Sequence, residues 1–168
     1  DKDRFEIMAK IRRVAPKYTA GLKKSTAAKR ATEIRKRSKG DVSKSDKYKP
    51  LPGDKTAKTK PSQYTIKAGN VRKAILEKAT TLKGPQDDRF VSAVASVTGV
   101  PKSIVRKVYD KGLAAWAVGH RPGATAAQWA RARVYSFITG GKTTRTADQT
   151  LYLEAKKATK QKRKYRLP

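Results

Sequence analysis

Cysteine is absent from the 168 residues, which rules out a disulfide, a thiolate zinc site and a cysteine nucleophile. Histidine occurs once, at His120, with no carboxylate near it in sequence, so a metal site of the usual kind is not expected. The acidic residues are few, 13 against 42 Lys and Arg, and too scattered to pair as a general acid and base. The expectation is a non-enzyme: no catalytic residue, no cofactor, no metal and no small-molecule substrate. No apolar run approaches the ~20 residues that span a bilayer, leaving a soluble or peripheral chain. No signal-peptide pattern opens it, and its first residue, Asp, reads as a trimmed or processed product. No stretch alternates apolar and polar residues over a strand length, and no repeat of fixed period is visible. The fold class that survives is all-α.

What the chain has in excess is positive charge, net +29. Residues 1–66 carry 20 basic against 7 acidic, residues 67–153 carry 15 against 5, and the last 15 carry 7 against 1. Charge this dense repels itself and calls for an anionic neighbour: nucleic acid, a lipid surface or acidic protein.

Residues 1–60 read as a basic N-terminal arm with a Pro-rich linker. Ile7, Ile11 and Val14, with Met8 beside them, predict a short amphipathic helix over residues 3–15, stopped by Pro16. Leu22, Ala27, Ala31 and Ile34 form a stripe too thin to dock strongly. The string YKPLPG at 48–53 predicts an extended strap. Residues 61–158 read as a small multi-helix domain, and 159–168 as a basic tail. Val71, Ile75, Leu76, Ala79 and Leu82 mark one helix, closed by Gly84 and Pro85. Asp87 or Asp88 is expected to cap the next, which carries Phe90, Val91, Val94 and Val97 and stops at Gly99. Pro101 suits the start of a third, with Ile104, Val105, Val108 and Tyr109. Thr125 and Gln128 have capping-box spacing before Trp129, Val134, Phe137 and Ile138, and Thr146 and Gln149 repeat it before Leu151 and Tyr152.

Residues 91–110 have helix-turn-helix spacing: small Ala95, a turn glycine at Gly99, then apolar anchors at Val100, Val105 and Val108. The second helix would expose Lys102, Ser103, Arg106 and Lys107 to an anion or to DNA; an ordinary helical hairpin uses the same spacing. The tail offers Lys156, Lys157, Lys160, Lys162, Arg163 and Lys164 as a nonspecific anchor to phosphate or lipid headgroups. SFITGGKT at 136–143 resembles a phosphate loop but follows a helix, and reads as a helix end. Trp116, His120, Arg121, Pro122, Trp129, Arg133 and Phe137 are expected to build a structural turn and core. His120 is expected between the two tryptophans, with Asp110 and Asp148 as candidate partners, and Arg133 or Arg131 is expected to face one of the same two carboxylates.

The strings GLAAW (112–116), GHRPGAT (119–125), QWARARVYSF (128–137) and GKTTRTAD (141–148) resemble an uncharacterised domain family of large DNA viruses of algae, also met in some marine phages. KPSQYT (60–65) and TGVP (98–101) belong to the same pattern, so the resemblance spans roughly residues 60–152. It implies a structural protein of a large icosahedral double-stranded DNA virus, in the interior layer of the capsid. Together with the long arm, it points to a minor capsid (cementing) protein that clasps neighbouring capsid proteins. Genomic DNA or an inner viral membrane would be a further partner for its charge. The alternative is a DNA-binding protein, acting through residues 91–110 in packaging or regulation.

Overall fold

The computed structural model describes residues 4–6, 14–160 and 165–168. The helix expected over 3–15 falls mainly on residues 7–13, outside the described residues. The principal helices are α1 (Lys24–Lys39), α2 (Gln63–Thr80), α3 (Gln86–Thr98), α4 (Lys102–Val118), α5 (Ala126–Ile138) and α6 (Gln149–Thr159). Short 3-10 turns lie at Pro16–Tyr18, Asp46–Tyr48 and Lys142–Arg145. No strand occurs among the described residues, and the protein is all-α. The chain divides into two compact units, Asp1–Lys60 with Leu113–Trp129, and Pro61–Gly112 with Ala130–Pro168.

In the first unit, residues 14–60 depart from the extended arm expected of them. The face of α1 that turns inward carries Ala27, Arg30, Ala31, Ile34 and Arg37, all buried. Two of those five are arginines, which is why an apolar count makes the stripe look thin. Arg37 donates to the carbonyls of Lys47 (2.8 Å) and Lys49 (2.9 Å) and pairs with Glu33 at 3.2 Å. Charge-assisted bonds of this kind contribute about 1.5–3 kcal/mol each. They bind the strap to the helix, and Leu51 of the strap joins Val14, Ala31 and Ile34 in an apolar cluster flanked by Tyr18. Lys36, Arg37 and Lys39 in the last turn of α1 complement the negative end of its dipole.

In the second unit α2 packs along α3. The Ser62 hydroxyl caps α2 by accepting from the Thr65 amide (3.0 Å), and the helix kinks at Gly69. α3 begins one or two residues before its expected cap: Pro85 holds the N-cap position with no side-chain bond, so Asp87 and Asp88 sit in the first turn. There they still favour the positive end of the dipole. Phe90, Val91, Val94, Val105, Val108, Tyr109, Val134, Phe137 and Ile138 form the buried core, each contributing roughly 1.5–3 kcal/mol.

Gly112 of α4 lies where that helix crosses α5; a Cβ there would stand 2.7 Å from the Ala130 Cα. Helix propensity favours Ala over Gly by about 1 kcal/mol. Forcing two backbones apart costs about 1–3 kcal/mol, so the clash wins. Gly112→Ala is therefore expected to lower the thermal midpoint; a midpoint at or above that of the parent would show that the helices have room to part.

The capping box of α5 forms reciprocally, Thr125 N to Gln128 Oε1 (3.0 Å) and Gln128 N to Thr125 Oγ1 (3.1 Å). The second expected box does not. Asp148 takes the N-cap position of α6 without a side-chain cap, and the Thr146 hydroxyl donates to the Lys142 carbonyl instead. The last described residues are no free tail. Leu167 is buried, the Tyr165 hydroxyl donates to the Ile138 carbonyl (2.9 Å), and the Tyr152 hydroxyl donates to the Pro168 carbonyl.

Candidate functional site

The first unit is organised on Asp54, whose two oxygens accept four hydrogen bonds. Oδ1 takes Arg30 Nη1 (2.7 Å) and the Gly123 amide (3.0 Å). Oδ2 takes His120 Nε2 (2.6 Å) and the Leu51 amide (2.8 Å). Arg30, fully buried, also donates to the carbonyls of Pro52 (3.0 Å) and His120 (2.7 Å). Burial alone would raise the Asp54 pKa. The bonds from His120, Arg30, Gly123 and Leu51 outweigh it and hold the carboxyl at about 2. Gly123 is left-handed (φ 85°), and a Cβ there would lie 2.5 Å from the Ala57 carbonyl oxygen, so this turn admits only glycine.

His120 is fully buried. Its ring stacks on Trp116 (4.2 Å, 7°) and stands edge-on to Trp129 (6.4 Å, 65°). Its partner is Asp54 rather than the expected Asp110 or Asp148. Nδ1 faces the Trp116 carbonyl at 2.9 Å, so both ring nitrogens meet oxygen atoms, one from a carbonyl and one from Asp54. Trp116 Nε1 donates to the Ala124 carbonyl (2.8 Å), closing the turn in which Arg121 is exposed and Pro122 half-buried.

The second unit has its own buried carboxylate. Asp148, with a side chain 0% exposed, takes Arg133 bidentately (3.0 and 2.9 Å) and Lys111 at 2.8 Å. Burial works against ionisation, and the bonds from Arg133 and Lys111 overcome it, leaving the pKa below the usual carboxylate value. Phe137 lies edge-on to Tyr152 at 5.5 Å.

α3, the left-handed Gly99 and α4 realise the helix-turn-helix spacing. Lys102, Ser103 and Lys107 are exposed on α4. Arg106, the fourth expected contact, is instead claimed by Asp88 (3.0 Å) and Asp110 (3.3 Å), and Tyr109 donates to Asp87 (2.5 Å). Three carboxylates thus stand beside the helix that would read base edges. Lys156, Lys157 and Lys160 are exposed at the end of α6 and just past it; Lys162, Arg163 and Lys164 lie outside the described residues. In the loop-like string 136–143 the Gly141 amide donates to the Ser136 carbonyl (2.7 Å), so this is a helix end.

Arg30 and Asp54 escaped the sequence reading. Arg30 falls between Ala27 and Ile34 on the buried face of α1, a signal that an apolar count discards; no local spacing ties Asp54 to a histidine 66 residues away. An open groove of about 680 Å³ beside α1 is lined by Lys29, Lys36, Arg37 and Lys49 but also by Glu33, Asp41 and Asp46, whose charges offset most of theirs. Among the described residues no group of acidic or His side chains could hold a metal, and no helix is long and apolar enough to cross a membrane.

Residues 15–152 match the model of a family of unknown function (DUF5824), and the chain belongs to that family. The match takes in most of the stretch expected as an arm. No curated protein and no solved structure matches the chain.

Proposed function

We propose that this member of the family binds duplex DNA through its phosphates, without reading sequence, as a structural protein of a large double-stranded DNA virus particle. The observation that carries the reading is the set of exposed lysines that reach no carboxylate. Carboxylates engage three arginines in or near the interior, Asp54 with Arg30, Glu33 with Arg37 and Asp148 with Arg133, and one at the surface, Asp88 and Asp110 with Arg106. Among the described residues Lys49 and Lys111 are the lysines that reach a carboxylate. The other lysines on α1, α2, α4 and α6 face solvent with their charge unmet; Lys29, Lys36, Lys73, Lys102, Lys107 and Lys157 are examples. A surface of mobile point charges suits phosphate neutralisation by counterion release. The carboxylates around Arg106 argue against base readout by α4, so genome packaging fits better than regulation.

A second reading, the minor capsid protein of the capsid interior, draws support from the viral resemblance and from apolar side chains that DNA does not require. Ile66 is 70% and Leu153 58% exposed. Its partners would be acidic faces of capsid proteins or an inner membrane. The clasping arm it called for is not available in residues 14–60.

Fluorescence anisotropy with two duplexes of unrelated sequence separates these readings. Affinities equal within about threefold are expected, where a sequence reader shows a preference of about 10³-fold or more. Absence of binding at low salt would remove the DNA reading and leave the capsid one.

A further inference from the structure

The first unit carries a second groove, of about 420 Å³, whose lining differs in kind from that of the groove holding Glu33, Asp41 and Asp46. Val14 and Ile34 lie buried beneath it; Tyr18 and Ala115 are half-buried, and Val118, at the end of α4, is 36% exposed. The Tyr18 ring packs on bare backbone at Gly119, where a Cβ would stand 3.0 Å from Cε2. The polar part of the lining is Arg35, Ser38 and Lys39, with no acidic residue among them. The Lys17 ammonium lies 5.2 Å from the centre of the Tyr18 ring and adds a third cation to this face.

An occupant has to fill an apolar slot and answer a positive edge at once. Phosphates answer the edge but bring nothing apolar to the slot. A second copy of the chain arrives with a net charge of +29, of the same sign as the edge. Residues 7–13, which precede Val14, hold Lys10, Arg12 and Arg13 and no acidic residue, so they would set like charge beside Arg35 and Lys39. A segment with apolar anchors on one face and carboxylates on its flanks meets both demands. We propose that this groove docks an acidic amphipathic segment of a partner protein. Its anchors lie against Tyr18 and Val118, and its carboxylates meet Lys17, Arg35 and Lys39. The volume falls in the range of about 300–1,000 Å³ usual for binding pockets. The inference goes beyond the DNA reading and does not depend on it.

The test uses the full chain and a labelled peptide of about 16 residues, with leucines repeating at i, i+3, i+4 and i+7 and glutamates elsewhere. Binding is expected, with a shift in tryptophan emission, because the Trp129 ring lies 6.3 Å from that of Tyr18. V118D sets a carboxylate in the slot and is expected to weaken binding about tenfold, and K17Q/K39Q about threefold. K67Q/K73Q removes the same charge from α2, in the second unit, and should leave the affinity unchanged. Equal losses from the two lysine pairs would reduce the binding to net charge and overturn the groove, a comparison that holds even if V118D does not fold. Failure of the peptide to bind overturns it too, as does V118D-sensitive binding of phosphatidylserine vesicles in place of the peptide. If the peptide binds I7D/I11D but not the parent, the preceding segment is the occupant and the proposal is wrong. None of these outcomes touches the DNA reading, which duplex anisotropy decides by itself.

Discussion

Asp54→Ala is expected to destabilise the first unit by about 3–5 kcal/mol, the cost of removing one partner from a buried ionic pair. That is a large part of the roughly 5–15 kcal/mol that holds an ordinary domain together. The variant leaves Arg30 fully buried and His120 fully buried, each with a donor facing nothing, and frees the amides of Leu51 and Gly123. Asp54→Asn should do almost as badly. Its carboxamide keeps one acceptor oxygen, so two of the four donors now meet an NH₂ group. The readout is built in, because Trp116 and Trp129 are the only tryptophans and both belong to this unit. Their emission should shift at a markedly lower urea concentration; a midpoint within error of the parent would show that Asp54 holds nothing. Acid should act in the same direction. The carboxyl is depressed from 3.8 to about 2 in the folded chain, so its contribution is complete above pH 4 and is lost as the pH falls through 2. A difference of this size is worth on the order of 2 kcal/mol, and Asp54→Asn should abolish that part of the pH dependence.

Asp148→Ala is expected to cost a similar amount, about 3–5 kcal/mol, in the second unit. Its carboxylate is fully enclosed and answers two cations, Arg133 through two parallel bonds and Lys111 through one. Its backbone carbonyl also accepts from the Tyr152 amide (2.8 Å), so the residue sits at the point where α6 begins. Losing the side chain should loosen Arg133 on α5, Lys111 on α4 and the first turn of α6 together. Amide exchange in α6, followed by mass spectrometry, should quicken by two or more orders of magnitude, since about 1.4 kcal/mol corresponds to each factor of ten. Unchanged exchange would mean that α6 is held by Tyr152, Ala155 and Leu167 alone.

The helices of the second unit were legible because their buried residues are apolar and recur at helical spacing. Phe90, Val91 and Val94 on α3 and Ile104, Val105 and Val108 on α4 are buried where that spacing puts them. Thr125 and Gln128 were legible for a local reason, since both halves of a capping box lie within one turn. The caps expected from Asp87 or Asp88 and from Thr146 failed because the helix start is decided by backbone geometry at Pro85 and Asp148 as much as by side chains. The first unit was hidden by its chemistry. Its inner face uses Arg30 and Arg37, which a hydrophobic pattern counts as solvent-facing, and its strap is held through carbonyls that any residue possesses. His120 was expected between two tryptophans and lies there, yet its carboxylate comes from Asp54, a pairing that only the folded chain brings together.

The most direct measurement is the salt dependence of duplex binding by the intact chain. If unpartnered lysines hold the phosphates, the logarithm of the association constant should fall against the logarithm of salt concentration with a slope steeper than about −5, the release expected from six or more neutralised phosphates. A slope no steeper than about −1 would mean that a single contact at most is electrostatic, and the reading of this surface as a phosphate binder would be wrong.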